Sequence, residues 1–265
     1  MKIALFFLSI ATLLPIFAFA DVANKSLQNA KGQVAYQHGS GGQRAVALNS
    51  TVVLADRDYA ITGAQSRGMV SLPDSSVVTV GSDTKVQMLF FNRTDIAHAK
   101  FVLYNGITRF EVRHPQGAKA NYTFVTPTAS IAVRGTQGDI GVTADSLQVN
   151  VYELCDASSP VEVLTKSGQQ YTLKVGQSFV GQIVGGVLQG QVQSLTDQLI
   201  APFEDMGIPT SAQQAKAVAE SYAAGAVNSV TGGYGSEVVG AVGGLFGKKK
   251  AQPSPAPSPA TTTCS

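Results

Sequence analysis

Charged residues and histidine are scarce in this sequence, and each shortage excludes a class of partner or site. Asp, Glu, Lys and Arg together make up 14% of the chain, and the formal net charge is only +2. So small an excess of positive charge does not indicate nucleic acid as a partner, and we expect none. The histidines His38, His98 and His114 are scattered, and none stands beside a second histidine or a cysteine at metal-ligand spacing. We therefore predict no zinc site.

Cysteine is equally rare. The two cysteines, Cys155 and Cys264, are far apart in sequence and do not form a metal-binding pattern. In an oxidising compartment they could pair with each other, or Cys264 could bridge two chains. We favour a simpler interpretation, in which Cys155 is a small buried hydrophobic residue and Cys264 is a free thiol.

No catalytic constellation is recognisable. Two pairs of nearby carboxylates could serve a glycosidase or a calcium site, Asp56 with Asp58 and Asp139 with Asp145. Aspartates at turns and strand edges more commonly make local hydrogen bonds, and we interpret both pairs in that way. Residues 39–42 lack the Lys-Ser or Lys-Thr step of a phosphate-binding loop, and no serine lies in a nucleophile elbow. We predict no catalytic, cofactor-binding or metal-binding residue, and no enzymatic activity.

The two ends of the chain carry patterns of export and of disorder. Lys2 precedes an apolar run that closes with Ala18-Phe19-Ala20, which is typical of a secretory signal cleaved after Ala20. Residues 1–20 are therefore predicted to be a signal peptide, and the mature protein to be periplasmic or secreted. Residues 251–265 are rich in proline and predict a disordered tail.

Residues 31–193 predict a single all-β domain, because short apolar runs alternate with turn residues and almost no helical pattern occurs. A short-stranded roll, a sandwich or a β-solenoid-like domain would fit, and no fixed internal period selects among them. Asn105-Gly106 lies between two apolar runs and predicts a hairpin turn. Gly135 predicts a corner between strands. Residues 21–30 are polar, and we expect them to fray.

Strand alternation is clearest in residues 147–151, where Leu147, Val149 and Val151 share one face of a half-buried strand. Arg109, Glu111 and Arg113 likewise share one strand face. That stripe could bind a partner, but we favour a solvated face.

Residues 194–250 predict a weakly helical, glycine-rich extension. Leu195 to Met206 has apolar residues at helical spacing, and Thr210-Ser211 is expected to cap a second helix over residues 211–226. The glycine-rich apolar residues 232–247 are too short to span a bilayer. We expect them to pack on the β domain or to contact a partner, with membrane contact least favoured.

Several motifs within residues 31–180 resemble the FecR-type domain. The most specific is Phe124 to Thr136, which contains Thr126-Pro127 and ends in Ile131-Ala132-Val133-Arg134-Gly135-Thr136. The other motifs lie, in the order that the family shows, at residues 57–63, 69–81 and 103–112. Ser75 departs from the glycine that is common in the second of these motifs.

The resemblance implies an all-β module on the outer side of a bacterial cytoplasmic membrane, one that touches other proteins rather than turning over a substrate. Sensor proteins of this family usually carry a cytoplasmic anti-sigma segment and a membrane helix before the domain. Here the predicted signal leads almost directly into the domain, so we expect no segment that binds a sigma factor.

We therefore expect a non-catalytic, exported cell-envelope protein that binds or scaffolds a protein partner of unknown identity. The alternative is a periplasmic regulator of iron-uptake or envelope-stress signalling that acts through a membrane partner. A third class, a polysaccharide-active enzyme, rests only on the scattered aspartates. Exposed strand edges are the favoured contact, because their free N–H and C=O groups invite strand addition.

Overall fold

The computed structural model describes residues 24–93, 96–114, 120–156 and 159–230, with side chains as far as Tyr222. The predicted signal peptide, the glycine-rich residues 232–247 and the tail with Cys264 lie outside the described residues. The strands are β1 (Ser26–Lys31), β2 (Val34–Gln37), β3 (Gln43–Val46), β4 (Thr51–Val53), β5 (Asp58–Thr62), β6 (Arg67–Ser71), β7 (Val77–Val80), β8 (Lys85–Arg93), β9 (Ala97–Val112), β10 (Asn121–Val125), β11 (Ala129–Val133), β12 (Thr136–Val142), β13 (Ser146–Leu154), β14 (Val161–Thr165), β15 (Gln170–Leu173), β16 (Gln177–Val184) and β17 (Val187–Ser194). The prediction of an all-β fold is confirmed.

The strands form two sheets that share β9. Sheet I runs in the order β4, β1, β6, β7, the second half of β9, β12, β13, β16 and β17. Sheet II runs in the order β3, β2, β5, β8, the first half of β9, β10, β11, β14 and β15. Neighbours are antiparallel except for β9 and β10, which are parallel. After its first strands the chain advances along both sheets together, so the fold combines the two layers of a sandwich with the progression of a solenoid.

The hairpin predicted at Asn105-Gly106 is wrong, because β9 continues through both residues. Gly106 has a φ of 93°, a left-handed conformation that only glycine adopts easily. A Cβ atom at this position would lie 2.5 Å from the Cα atom of Thr84. The strand therefore bends at Gly106 and passes from Sheet II into Sheet I. The corner predicted at Gly135 agrees with its φ of 107°.

The main hydrophobic core lies between the two sheets. Phe110 in Sheet I packs on Phe124 in Sheet II with ring centroids 5.4 Å apart, and Phe124 packs on Phe101 at 5.2 Å. All three side chains are fully buried. Burying a side chain of this size stabilises the fold by about 1.5–3 kcal/mol. The alternation predicted for β13 places Leu147, Val149 and Val151 in this core.

Residues 21–30 were expected to fray, but β1 occupies Ser26–Lys31 between β4 and β6. Leu27 is fully buried, and the side-chain amide of Asn29 donates to the carbonyl of Val46 at 2.8 Å and to that of Gly32 at 3.0 Å. One buried apolar residue and one buried amide group that donates two hydrogen bonds hold this polar segment in the sheet.

The strands are followed by a helical segment that lies on the outer face of Sheet I. It consists of α1 (Asp197–Ile200), a 3₁₀ turn (Ala201–Met206) and α2 (Thr210–Val230). We call residues 196–222 the C-terminal segment. Ser211 was expected to cap α2, but it lies inside the helix and its hydroxyl donates to the Gln137 side chain. None of the helices in the described part of the chain is long and apolar enough to cross a membrane.

Candidate functional site

A buried ion pair lies on the outer face of Sheet I, beneath the C-terminal segment. Arg109 of β9 and Asp139 of β12 are directly opposite in the ladder. The Arg109 guanidinium donates to both carboxylate oxygens, from Nε at 2.7 Å and from Nη2 at 3.0 Å. Asp139 is fully buried and Arg109 is 8% exposed. The solvated face favoured for this stripe is therefore wrong at Arg109, whereas Glu111 and Arg113 form an exposed ion pair.

Burial and ion pairing have opposite effects on the pKa values of Arg109 and Asp139. Burial raises the pKa of the Asp139 carboxyl above its ordinary value, and the bonds from Arg109 oppose that rise. Burial lowers the pKa of Arg109, but the bonds and the charge of Asp139 more than compensate, so it rises. A bidentate arginine–carboxylate contact of this geometry stabilises the ionised pair.

Other polar side chains complete the network. Tyr152 donates its hydroxyl proton to Asp139. Burial raises the pKa of Tyr152, and the charge of Asp139 raises it further. Asn150 donates to the Tyr152 oxygen at 3.3 Å and accepts from the hydroxyl of Ser178 at 2.7 Å. The network therefore spans the neighbouring strands β9, β12, β13 and β16.

The network holds the C-terminal segment by its backbone carbonyls. The side-chain amides of Gln148 and Asn150 donate to the carbonyl of Leu199 at 2.6 and 2.9 Å. The Nη1 group of Arg109 donates to the carbonyl of Gly207. These bonds satisfy carbonyls at the ends of short helical turns, which need partners when they are buried.

Glycines on the sheet allow the segment to approach closely. A Cβ atom at Gly141 would lie 3.1 Å from the ring of Phe203, and one at Gly176 would lie 2.6 Å from the carbonyl oxygen of Ala215 in α2. Ile200, Ala215 and Ala219 are buried in a second hydrophobic cluster with Tyr152. The charged groups are paired with each other and covered by the C-terminal segment. This face of Sheet I therefore anchors that segment and does not present an open reaction centre.

The remaining predicted carboxylates also have partners within the protein. Asp58 accepts from the backbone N–H of Ala55 at 2.9 Å and lies 2.7 Å from His38 Nδ1. Asp56 pairs with Lys25, and Asp145 accepts from the hydroxyl of Thr143 at 2.7 Å. The bonds of Asp58 to Ala55 and of Asp145 to Thr143 are local, as expected of turn residues. That interpretation is wrong for Asp139, which lies within β12 and pairs with Arg109 across the sheet. Across the described residues, no group of three or more His, Cys, Asp or Glu side chains is placed to hold a metal ion.

Cys155 is disulfide-bonded, so the interpretation of Cys155 as an unpaired buried thiol is wrong. Cys264 is the other cysteine of the sequence.

The outer face of Sheet II carries an aromatic group that sequence reasoning missed. The rings of Tyr59 and Tyr104 are 6.0 Å apart, and the ammonium of Lys85 lies 4.7 Å from the first ring centroid and 5.7 Å from the second. The Tyr104 hydroxyl donates to Gln87 Oε1 at 3.0 Å. Tyr104 remains 41% exposed. No described helix lies over this group. The only sequence signal was the alternation of these strands.

One edge of Sheet I differs from the other sheet edges in the described part of the chain. Edge strands usually avoid unwanted pairing by being short or by carrying charge or proline. Three edges follow this rule: β3 and β15 have four residues each, and β4 has three. β17 has eight residues, VLQGQVQS, with neither charge nor proline.

The ladder shows which groups of β17 face outward. The N–H of Leu195 donates to the carbonyl of Gly176, so the alternate residues Gln193, Gln191 and Gln189 also bond to β16. The two-residue turn Gly185-Gly186 joins Val184 to Val187, and Val187 belongs to the same alternating set of residues that bond to β16. Leu188, Gly190, Val192 and Ser194 therefore direct their N–H and C=O groups away from β16.

One comparison with known protein families matches the central part of this fold. The family described as "FecR protein" matches residues 58–153, from β5 to β13. Over these residues the chain is similar to the FecR family. The match includes Arg109, Asp139 and Asn150 but ends before the C-terminal segment and β17.

Two crystal structures of a candidate anti-sigma factor from Parabacteroides distasonis ATCC 8503 are similar to this chain at 18% identity and a TM-score of 0.41. Each match covers 50% of this chain and 58% of the other protein's length. A similarity this distant carries no conclusion about function. No curated protein matches the sequence.

Proposed function

We propose that this chain is a non-catalytic, exported protein of the bacterial cell envelope that binds a protein partner by strand addition at β17. The observation that carries the proposal is the outer edge of β17, which is eight uncharged residues long and pairs with no second strand among the described residues. Unpaired N–H and C=O groups on such a strand give a partner strand its main-chain bonds, and alternate side chains give it specificity.

Two further observations support a binding role. The FecR domain belongs to a regulatory family. The buried ion pair of Arg109 and Asp139 holds the chain's own C-terminal segment and offers no open site for a substrate. Export rests on the signal pattern of residues 1–20, and N-terminal sequencing of the mature protein should find Asp21 as the first residue.

Photo-crosslinking in intact cells tests the contact. A benzoylphenylalanine residue is introduced at the exposed Gln191 of β17 and, as the matched control, at the exposed Thr172 of the short edge strand β15. We expect a crosslinked protein at Gln191 and none at Thr172. Equal capture at both positions, or none at either, would contradict the proposal.

The non-catalytic part has its own test. Purified protein is incubated with envelope glycans, and any hydrolysis is compared with that of Asp56→Asn and Asp145→Asn. Both carboxylates are exposed, so these changes leave the buried network intact. Hydrolysis that disappears in either variant would overturn the non-catalytic proposal.

A second candidate function is favoured by the FecR match alone. In it, the protein regulates iron-uptake or envelope-stress signalling through a membrane partner. Capture of an outer-membrane receptor or of a membrane-bound regulator at Gln191 would place this function first. Capture of a structural envelope protein would favour scaffolding.

A further inference from the structure

The strand β17 is nearly self-complementary in the antiparallel direction. When β17 is paired with a second copy of itself about a two-fold axis at Gly190, Leu188 lies opposite Val192 of the second copy. On the other face, Gln189 lies opposite Gln191 of the second copy. Leu188 is buried on the inner face, and Val192 packs partly against the main core. The apolar side of one copy would therefore continue into the apolar side of the other.

The hydrogen-bonding groups fit the same register. Leu188, Gly190 and Val192 direct N–H and C=O outward, as derived above from the ladder with β16. In the register centred on Gly190 these three residues face one another, so each opposing pair exchanges two backbone bonds. An axis at Gly190 also places no side chain at the centre of the pairing.

The charge of this edge does not oppose self-association. Neither β16 nor β17 contains a charged residue, so two copies bring no like charges together across the strand pair. Val184 and Val187, at the tip of the same hairpin, are 55% and 43% exposed. A surface that presents apolar groups and an unprotected strand in one place is typical of an interaction site.

We propose that β17 pairs with β17 of a second copy of this chain, joining two copies of Sheet I into one continuous sheet across an isologous two-fold interface. This inference rests on the proposed function, because it names the partner of the same edge. The functional unit is then a dimer.

Charge substitutions at the exposed Gln189 and Gln191 test both the interface and its register. The double change Gln189→Lys with Gln191→Lys places ammonium groups opposite each other across the interface. The matched control, Gln189→Lys with Gln191→Glu, places an ammonium opposite a carboxylate at both positions. Like charges directly opposite destabilise a strand pair and opposite charges stabilise it.

The measurement is sedimentation of the purified full chain over a range of concentrations, with circular dichroism to verify folding. We expect the unaltered protein to dimerise, the lysine–lysine variant to dissociate with a constant raised about tenfold or more, and the lysine–glutamate control to remain dimeric. A control that dissociates like the lysine–lysine variant would contradict the register centred on Gly190.

Other outcomes separate this inference from the proposed function. A folded protein that stays monomeric at all concentrations would overturn self-pairing, as would a dimer that the lysine–lysine variant leaves unchanged. If a different protein is then captured from Gln191 in cells, the proposed function stands without the dimer. If no protein is captured at Gln191, both the proposed function and the dimer are wrong.

Discussion

The outer faces of the two sheets differ in what they carry and in what covers them. The face of Sheet I bears the ion pair Arg109–Asp139 and the amide Asn150, all beneath the chain's own C-terminal segment. The face of Sheet II bears Tyr59, Tyr104 and Lys85, with no described helix over it. A charged pair tolerates burial only when every polar group has a partner, whereas an aromatic group on an open face keeps its water.

The difference predicts where the fold is sensitive. On the covered face each polar group depends on the others, because water cannot replace a lost partner. On the open face water can replace any partner that is removed. Substitutions of similar size should therefore lower the free energy of unfolding much more on the outer face of Sheet I than on the outer face of Sheet II.

The largest effect is expected at Asp139. Asp139→Ala leaves the buried Arg109 without its carboxylate, which should lower the free energy of unfolding by about 3–5 kcal/mol. Denaturant unfolding measures the loss. Glu111→Gln, which removes the carboxylate from the exposed pair with Arg113, is the matched control and should cost about 0–1 kcal/mol.

A double substitution identifies the cause of that loss. Replacing both partners, Arg109→Met with Asp139→Leu, removes the unpaired charge and should restore much of the stability. If the double variant is no more stable than Asp139→Ala, an unpaired charge is not the reason for the loss.

A smaller effect is expected at Asn150. Asn150→Ala removes one bond to the carbonyl of Leu199 and leaves the Ser178 hydroxyl without its acceptor. The cost should be about 1–3 kcal/mol, with faster hydrogen exchange in α1 and in the first turns of α2. Ser130→Ala, on the outer face of Sheet II, is the control and should change stability by less than about 0.5 kcal/mol. Equal losses of stability for Asn150→Ala and Ser130→Ala would contradict the predicted difference between the two outer faces.

The smallest effect is expected on the open face. Lys85→Met removes the cation above the rings of Tyr59 and Tyr104 but keeps most of the side chain. Cation–π contacts at exposed sites contribute about 0.5–1 kcal/mol, so denaturant unfolding should record a loss within that range. A loss as large as that of Asp139→Ala would mean that this group is as coupled as the buried network.

Strand alternation alone predicts the inner faces well, as the burial of Leu147, Val149 and Val151 shows. It does not predict the outer faces, because the fate of Asn150 depends on the C-terminal segment, which begins some 46 residues later and contacts it only in the folded chain. Asp139 was interpreted as a turn or strand-edge aspartate, whereas it lies within β12 and pairs with Arg109 across the sheet. Its partner is 30 residues away in sequence and could not be read from local pattern.

Glycine signals were ambiguous for a similar reason. Gly106 and Gly135 both have a positive φ, and the sequence pattern assigned a hairpin turn to Asn105-Gly106 and a corner to Gly135. Only the second is right. A glycine in a left-handed conformation can reverse a strand or bend it into a neighbouring sheet, and the choice is made by the packing of distant strands such as β7 and β12 on the second half of β9.

The central claim is that β17 is an open edge that receives a strand, and amide hydrogen exchange tests it residue by residue. At concentrations where the protein is monomeric, the account predicts fast exchange at the outward amides of Leu188, Gly190 and Val192 and slow exchange at Gln189 and Gln191. When the concentration rises or a captured partner is added, the three outward amides should become protected. Outward amides that are already slow in the monomer, or that stay fast in the complex, would contradict the claim.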